Sequence, residues 1–484
     1  MASELDDIPE ELLIEVFKLL DPKSVKEAAL VCTNWNRLIS TQPAIMQKFL
    51  LIIYASTLNY ESVEKFDELL TVQRNFVALK MFLATDCNRN RMEEVLHRFG
   101  ATLLEMTLRE VKLNESDLVV KLLNYTPELV ELHLNIWNCE ENSEIVINST
   151  PVELKKLKKI VVTEYPNWNM FDRLVTPKLT HLECHGNADE FQAIVFQNFL
   201  KTLPNLDTLV LDFDHFSQME PNFPFKLKKL VCAIFDCSFG ENLKTFLQSQ
   251  SSTVVELSAA CDDPEFYEIV FTKFEKLKKL TVNMDKMSTS KDFYYKFRAM
   301  PMMKEIESVS KCSCEATVRG VLRNCPELVK FTAAKDRNIS DQLEFIASHN
   351  PKLEFLSIST IRATDASFKL LKTLNISQVD DVDHLIAFLK ANPSIESFRM
   401  TNQREDLGDE LLDFLINETN FKHVYINGWA IFDVYERIKT GYGKWKTLEL
   451  SCYDGGFNEP DVATFELPEN LEDWLPFAEL GDYF

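Results

Sequence analysis

Residues 116–134 read SDLVVKLLNYTPELVELHL, and two different periods share that short stretch. Leu118, Val119, Leu122 and Leu123 recur at helical spacing, whereas Leu129, Leu132 and Leu134 fit a strand with one face buried. Pro127 stands between them, where it ends a helix and biases its neighbour towards extended backbone. One helix and one strand are therefore predicted, and a unit of that size cannot bury its apolar face alone. It must stack on copies of itself.

Copies run through most of the chain. The L-x-x-L-x-L spacing of Leu129-Leu132-Leu134 recurs at Leu103-Met106-Leu108, Leu157-Ile160-Val162, Leu179-Leu182-Cys184, Leu206-Leu209-Leu211, Leu227-Leu230-Cys232, Leu277-Leu280-Val282 and Leu353-Leu356-Ile358. It continues to Trp445-Leu448-Leu450, at a period of about 24 residues. Proline stands two residues ahead of the first apolar position at Pro127, Pro177, Pro204, Pro301, Pro326, Pro351 and Pro393, an independent mark of the same register. Extended backwards, the frame takes in Phe76-Leu79-Met81 and Phe49-Ile52-Tyr54. Period and pattern resemble leucine-rich repeats, which implies a curved solenoid with parallel strands inside and helices outside. The position three residues beyond each strand, however, is Trp137, Asp214, Phe235, Ile361 or Trp429 and not a regular Asn or Cys, so the turns must satisfy their backbone groups another way.

Residues 7–39, DIPEELLIEVFKLLDPKSVKEAALVCTNWNRLI, precede the repeats and carry more apolar residues than so small a module can bury. Pro9 suits a first helical turn, Glu10 and Glu11 complement the dipole, and Asp21-Pro22 breaks the helix. Ile8-Pro9, Glu11, Leu12-Leu13, Val16-Phe17, Leu20-Asp21-Pro22, Leu30-Val31-Cys32, Trp35 and Leu38 resemble an F-box. With the repeats, the chain resembles the F-box and leucine-rich repeat family over nearly its whole length. That resemblance implies docking on a Skp-type adaptor and, through it, on cullin and RING subunits of a ubiquitin ligase. It also implies that Ile8, Pro9, Leu12, Leu13, Val16, Phe17 and Leu20 lie at or near the adaptor, supported by Val31 and Trp35. The expected organisation is α/β, with an F-box over 1–45, a junction with irregular first repeats over 46–102, a repeat solenoid over 103–452, and an acidic, aromatic tail over 453–484.

Composition narrows the function further. A net charge of −23 opposes approach to nucleic acid or an anionic membrane, so proteins are the expected partners, the target itself unidentified. An acidic N-terminus without a signal-like apolar core, no span-length apolar segment, and 11 cysteines without disulfide-like spacing point to the cytoplasm or nucleus. No phosphate-cradling glycine loop or nucleophile motif is present. A non-catalytic substrate-recognition subunit without a cofactor or metal is expected, the alternatives being a repeat scaffold or inhibitor outside any ligase, or a small-molecule-dependent receptor.

Side chains alternate along a strand, so residues flanking each central apolar position face away from the core. Among these, Lys159, Lys229, Lys279, Lys330, Phe355, Arg399, His423 and Tyr425 are candidate target-binding residues. The pairs Lys158-Lys159, Lys228-Lys229 and Lys278-Lys279 form a stripe that either captures an acidic or phosphorylated segment or a phosphate-rich cofactor, or is simply a solvated edge. His181, Glu183 and His185 share one side of a strand, as metal or proton-transfer groups or as plain polar residues of a binding face. The tail either caps the last repeat or folds back towards the lysines.

Overall fold

In the computed structural model the chain forms two compact units, Met1–Val254 and Val255–Phe484. The residues described are 8–46, 49–54, 63–72, 75–82, 89–112, 116–137, 149–164, 168–185, 190–212, 220, 222–233, 240–261, 263–282, 297–308, 315–333, 339–403, 409–428, 447–451 and 462–466.

The first unit opens with four short helices, α1 (Glu10–Leu19), α2 (Pro22–Ala28), α3 (Thr33–Thr41) and α4 (Pro43–Met46). Parallel strands follow: β1 (Leu50–Ile53), β2 (Ala78–Phe82), β3 (Glu105–Lys112), β4 (Glu131–Trp137), β6 (Lys159–Glu164), β8 (His181–His185), β9 (Thr208–Asp212) and β10 (Lys229–Ala233), each paired with the next. A small separate sheet joins β5 (Val152–Glu153) to β7 (Leu174–Val175). The central apolar positions Leu79, Leu132, Ile160, Leu182, Leu209 and Leu230 are fully buried, together with helical residues such as Val95, Leu96, Leu122 and Leu123. The period read from the sequence is thus the period of the core.

The second unit repeats the plan with β11 (Glu256–Ala260), β12 (Lys279–Val282), β13 (Glu305–Ser308), β14 (Lys330–Thr332), β15 (Phe355–Ile358), β16 (Thr373–Ile376), β17 (Ser397–Gln403), β18 (His423–Gly428) and β19 (Thr447–Ser451), parallel and in sequence order. A last strand, β20 (Val462–Glu466), turns back antiparallel on β19. The remainder of the acidic tail lies outside the described residues. The architecture is a helical N-terminal module followed by α/β repeats whose parallel strands build long open sheets.

One register expectation is corrected. Leu51 and Ile53, not Ile52 and Tyr54, face the core of β1, because Leu51 pairs with Leu79 and Ile53 with Met81. The frame Phe49-Ile52-Tyr54 is off by one residue, and a slip of one moves every side chain of a strand to the opposite face. Leu50, Ile52 and Tyr54 are therefore exposed. The frame Phe76-Leu79-Met81 stands, with Leu79 and Met81 fully buried.

At two turns the residue preceding proline satisfies backbone groups of the neighbouring repeat. Asn350, buried at the end of helix Leu343–His349, donates through Nδ2 to the carbonyls of Leu322 (3.1 Å) and Cys325 (2.8 Å) in the preceding repeat. Asn392 donates to Ala366 O (3.1 Å) and Phe388 O (2.8 Å) and accepts from the Phe368 amide at 2.6 Å. Gln250 does comparable work in the first unit, accepting from the Leu227 amide at 3.0 Å. Buried polar groups need such partners, and here the side chain that supplies them sits after the helix and not after the strand.

Candidate protein-binding surfaces

The N-terminal module has a complete core of its own. Leu13, Phe17, Val25, Ala28, Ala29, Leu38, Ile39, Ile45 and Phe49 are buried together, with Ile8, Ile14, Leu20, Trp35 and Phe76 packed against them. Local chemistry sets the helix starts. The Pro9 carbonyl accepts from the Leu12 and Leu13 amides, and Asp21 caps α2 by accepting from the Lys23 amide at 2.8 Å and the Ser24 amide at 3.1 Å. Cys32 Sγ accepts from the Trp35 amide at 3.5 Å, and Trp35 meets Phe17 edge-on at 5.1 Å between ring centres. An ion pair between Arg37 and Glu10 ties α3 to α1.

That packing splits the wide apolar face of α1. Leu13 and Phe17 point inwards, whereas Leu12 (57 % exposed), Val16 (50 %) and Leu19 (87 %) point outwards, joined by Leu30 (86 %) and Val31 (58 %) after α2. Positions 12, 16 and 19 are one helical face and 13, 17 and 20 the adjacent one, so both periods are present in the sequence. Pro9 is exposed, and Ile8, Leu20 and Trp35 are partly buried. Five large apolar side chains on so small a module exceed what scattered surface residues require.

On the strand faces, the predicted alternation brings the candidate residues to the open side. In the second unit Lys279, Glu305, Lys330, Phe355, Thr373, Ser397 and His423 occupy one row, and Asn375, Arg399 and Tyr425 lie in the next. The Arg399 guanidinium lies 4.0 Å from the centre of the Tyr425 ring, and Lys330 Nζ lies 5.0 Å from that of Phe355.

The lysines have local partners. Lys159 is 3.7 Å from Glu131, and Lys279 and Lys330 flank Glu305 at 3.8 and 3.9 Å. Lys228 pairs with Asp207, Lys304 and Lys352 with Glu327, Lys372 with Glu354, and Lys422 with Glu396. Hydrogen bonds from Lys352 and Lys304 lower the Glu327 pKa, and the one from Lys372 to Glu354 raises that of Lys372. Stacking sets a carboxylate of one repeat beside an ammonium of the next, and sequence spacing alone does not reveal that pairing. Lys159 and Lys229 belong to the first unit and Lys279 to the second.

His181 and His185 both meet Glu183, at 3.3 and 2.7 Å. Burial pushes the Glu183 carboxyl up, but hydrogen bonds from His185 and His181 outweigh it and hold the carboxyl below its usual range. Among the described residues no cluster of His, Cys, Asp or Glu is arranged to hold a metal ion. Burial also pushes the Cys325 thiol up to about 12, which leaves it a core residue and not a nucleophile.

Residues 5–51 match the F-box-like family model, the span occupied by the four helices and the start of β1. The repeats behind them contain the buried L-x-x-L-x-L ladder. The N-terminal module is thus F-box-like, and the repeats behind it are similar to leucine-rich repeats. An Arabidopsis thaliana protein named as an F-box/FBD/LRR-repeat protein is 26 % identical over 290 residues, covering 55 % of this chain and 61 % of that relative's length. Among the described residues no helix of this chain is long and apolar enough to cross a membrane.

Proposed function

We propose that this F-box protein is a substrate-recognition subunit of an SCF-type ubiquitin ligase. The F-box module docks on a Skp-type adaptor and so reaches cullin and RING subunits, while the open strand faces of the repeats hold a target protein. The chain contributes proximity and other subunits carry the transfer chemistry. The observation that carries this reading is the exposed apolar set Leu12, Val16, Leu19, Leu30 and Val31 on a module whose core is already complete. Burying such residues in an interface gains roughly 25 cal/mol per Å² of apolar surface. Pro9, Ile8 and Leu20 border that set, and Leu13, Phe17 and Trp35 hold the helices that present it. Arg399, Tyr425, Lys330, Phe355 and His423, with Lys159, Lys229 and Lys279, are candidate target contacts, and the site of action is the cytoplasm or nucleus.

The test is co-purification of the full chain with a Skp-type adaptor and cullin. The double variant Leu12→Ala, Val31→Ala should lose the adaptor while its unfolding temperature stays within a few degrees of wild type. Adaptor retention at wild-type level by that variant overturns the docking face. Adaptor binding without cullin recruitment points instead to a repeat scaffold or inhibitor.

A further inference from the structure

The corrected register of β1 leaves an unexplained apolar row on the open face of the first unit. Leu50 (46 % exposed), Ile52 (44 %) and Tyr54 (56 %) follow one another on that face, and the Tyr54 ring stacks on Phe82 at 5.2 Å with 12° between planes. Two cations border the row. Lys80, beside Ile52 in the register, places Nζ 5.1 Å from the Phe82 ring centre, and the Arg109 guanidinium, beside Phe82, lies 5.8 Å from it. In this chain of net charge −23, Lys80 and Arg109 have no carboxylate within 4.0 Å among the described residues, whereas Lys159, Lys279 and Lys330 all do.

We propose that Leu50, Ile52, Tyr54, Phe82, Lys80 and Arg109 form a docking surface for an acidic protein segment that also carries a bulky apolar side chain. The inference rests on the target-binding reading above and gives it a place and a chemistry. Same-face residues of a strand are about 7 Å apart, so an extended segment along β1 presents one apolar side chain to Ile52 and Tyr54. A carboxylate one or two residues away then reaches Lys80 and Arg109, whose ammonium and guanidinium are held over an aromatic face and need no reorganisation to accept it. Glu105 lies beside Ala78 at the opposite end of the row, so the acidic side of the segment belongs at the Phe82 end. Aromatic and arginine side chains around an apolar centre are the composition of interface hot spots. Phe49, in the core of the F-box module, immediately precedes Leu50, so a segment bound here lies next to the adaptor-docking module.

The experiment uses the full chain and short synthetic peptides of equal length in fluorescence polarisation: acidic with leucine and phenylalanine, acidic without them, basic with them, and neutral with them. The acidic apolar peptide should bind best, with an affinity that falls as salt rises. Tyr54→Ala should weaken it about tenfold or more, and the pair Lys80→Ser, Arg109→Ser should weaken it and flatten its salt dependence. Arg399→Ser should leave it unchanged. All of these side chains are exposed or partly exposed, and thermal unfolding checks that each variant folds; Ile52→Thr repeats the test if Tyr54→Ala does not. Equal binding of the four peptides, no binding of any, or full binding by the folded variants overturns the proposal. Adaptor co-purification with the same variants is read separately, and its loss in wild type sinks the ligase reading while leaving the docking surface standing.

Discussion

The side-chain amide of Asn350 donates to the carbonyl of Cys325 at 2.8 Å, linking the residue before Pro351 to the residue before Pro326 one repeat earlier. The contact ties equivalent corners of adjacent repeats from the end of a helix, and not from a regular asparagine after the strand. Asn392 makes the corresponding link with two hydrogen bonds, to Ala366 O and from the Phe368 amide, and adds a third to Phe388 O of its own helix, whereas Asn350 makes two in all and its Oδ1 atom is buried without a partner. Asn392→Ala should therefore cost more than Asn350→Ala, each within about 1–3 kcal/mol. Urea unfolding of both variants decides it. Equal or reversed costs would mean that these amides do not join the repeats.

Phe17 and Leu12 should behave oppositely despite their common helix. Phe17→Ala opens a cavity in the F-box core and should cost about 3–5 kcal/mol, with local unfolding seen by hydrogen exchange in α1 to α3. Leu12→Ala should leave exchange unchanged, because its side chain is already in solvent.

Gly100 ends helix Arg89–Phe99 against the next repeat, and a Cβ there would stand 2.5 Å from the Tyr125 carbonyl oxygen. Backbone must move to admit it. Gly100→Ala should lower stability by about 1–3 kcal/mol despite its gain in chain stiffness, and a variant as stable as wild type would show that the two repeats are packed less closely.

Asp117 is expected to make the first unit acid-sensitive. Burial pushes its carboxyl up, but the Ser149 hydroxyl and amide, at 2.6 and 2.7 Å, together with Lys121, bring it down to about 2. A carboxyl lowered in the folded state adds stability that is complete above its unfolded value near 4 and is lost as pH falls towards about 2. Asp117→Asn should abolish that part of the acid transition, measured as the difference in unfolding free energy between neutral pH and about pH 3.

Leu209 and Leu356 are fully buried central positions of β9 and β15. Changing either to aspartate buries an unpaired charge and should unfold its own and neighbouring repeats. Protease sensitivity confined to residues around the changed repeat is the expected readout, and resistance of both variants would contradict the register.

Most of the repeat register was legible because one apolar triplet recurs with proline at a constant offset, and periodic burial is a local property of the chain. The first strand was not legible in that way. Leu50-Leu51-Ile52-Ile53 is apolar at every position, so alternation carries no parity, and only pairing with Ala78–Met81 decides which side chains are inside.

The same division runs through the surfaces. Sequence by itself determined that an F-box-like module precedes stacked α/β repeats, since helix caps, spacing and proline positions act within a few residues of each other. Tertiary structure alone decided that Leu13 and Phe17 turn inwards while Leu12 and Val16 stay outside, because α3 covers only one of two equally apolar faces. It also decided that Lys159 meets Glu131 while Lys80 and Arg109 are left beside the single Phe82 ring. Those outcomes depend on how successive repeats stack, and side chains about one repeat apart in sequence become neighbours only when a whole strand and helix have been laid down between them.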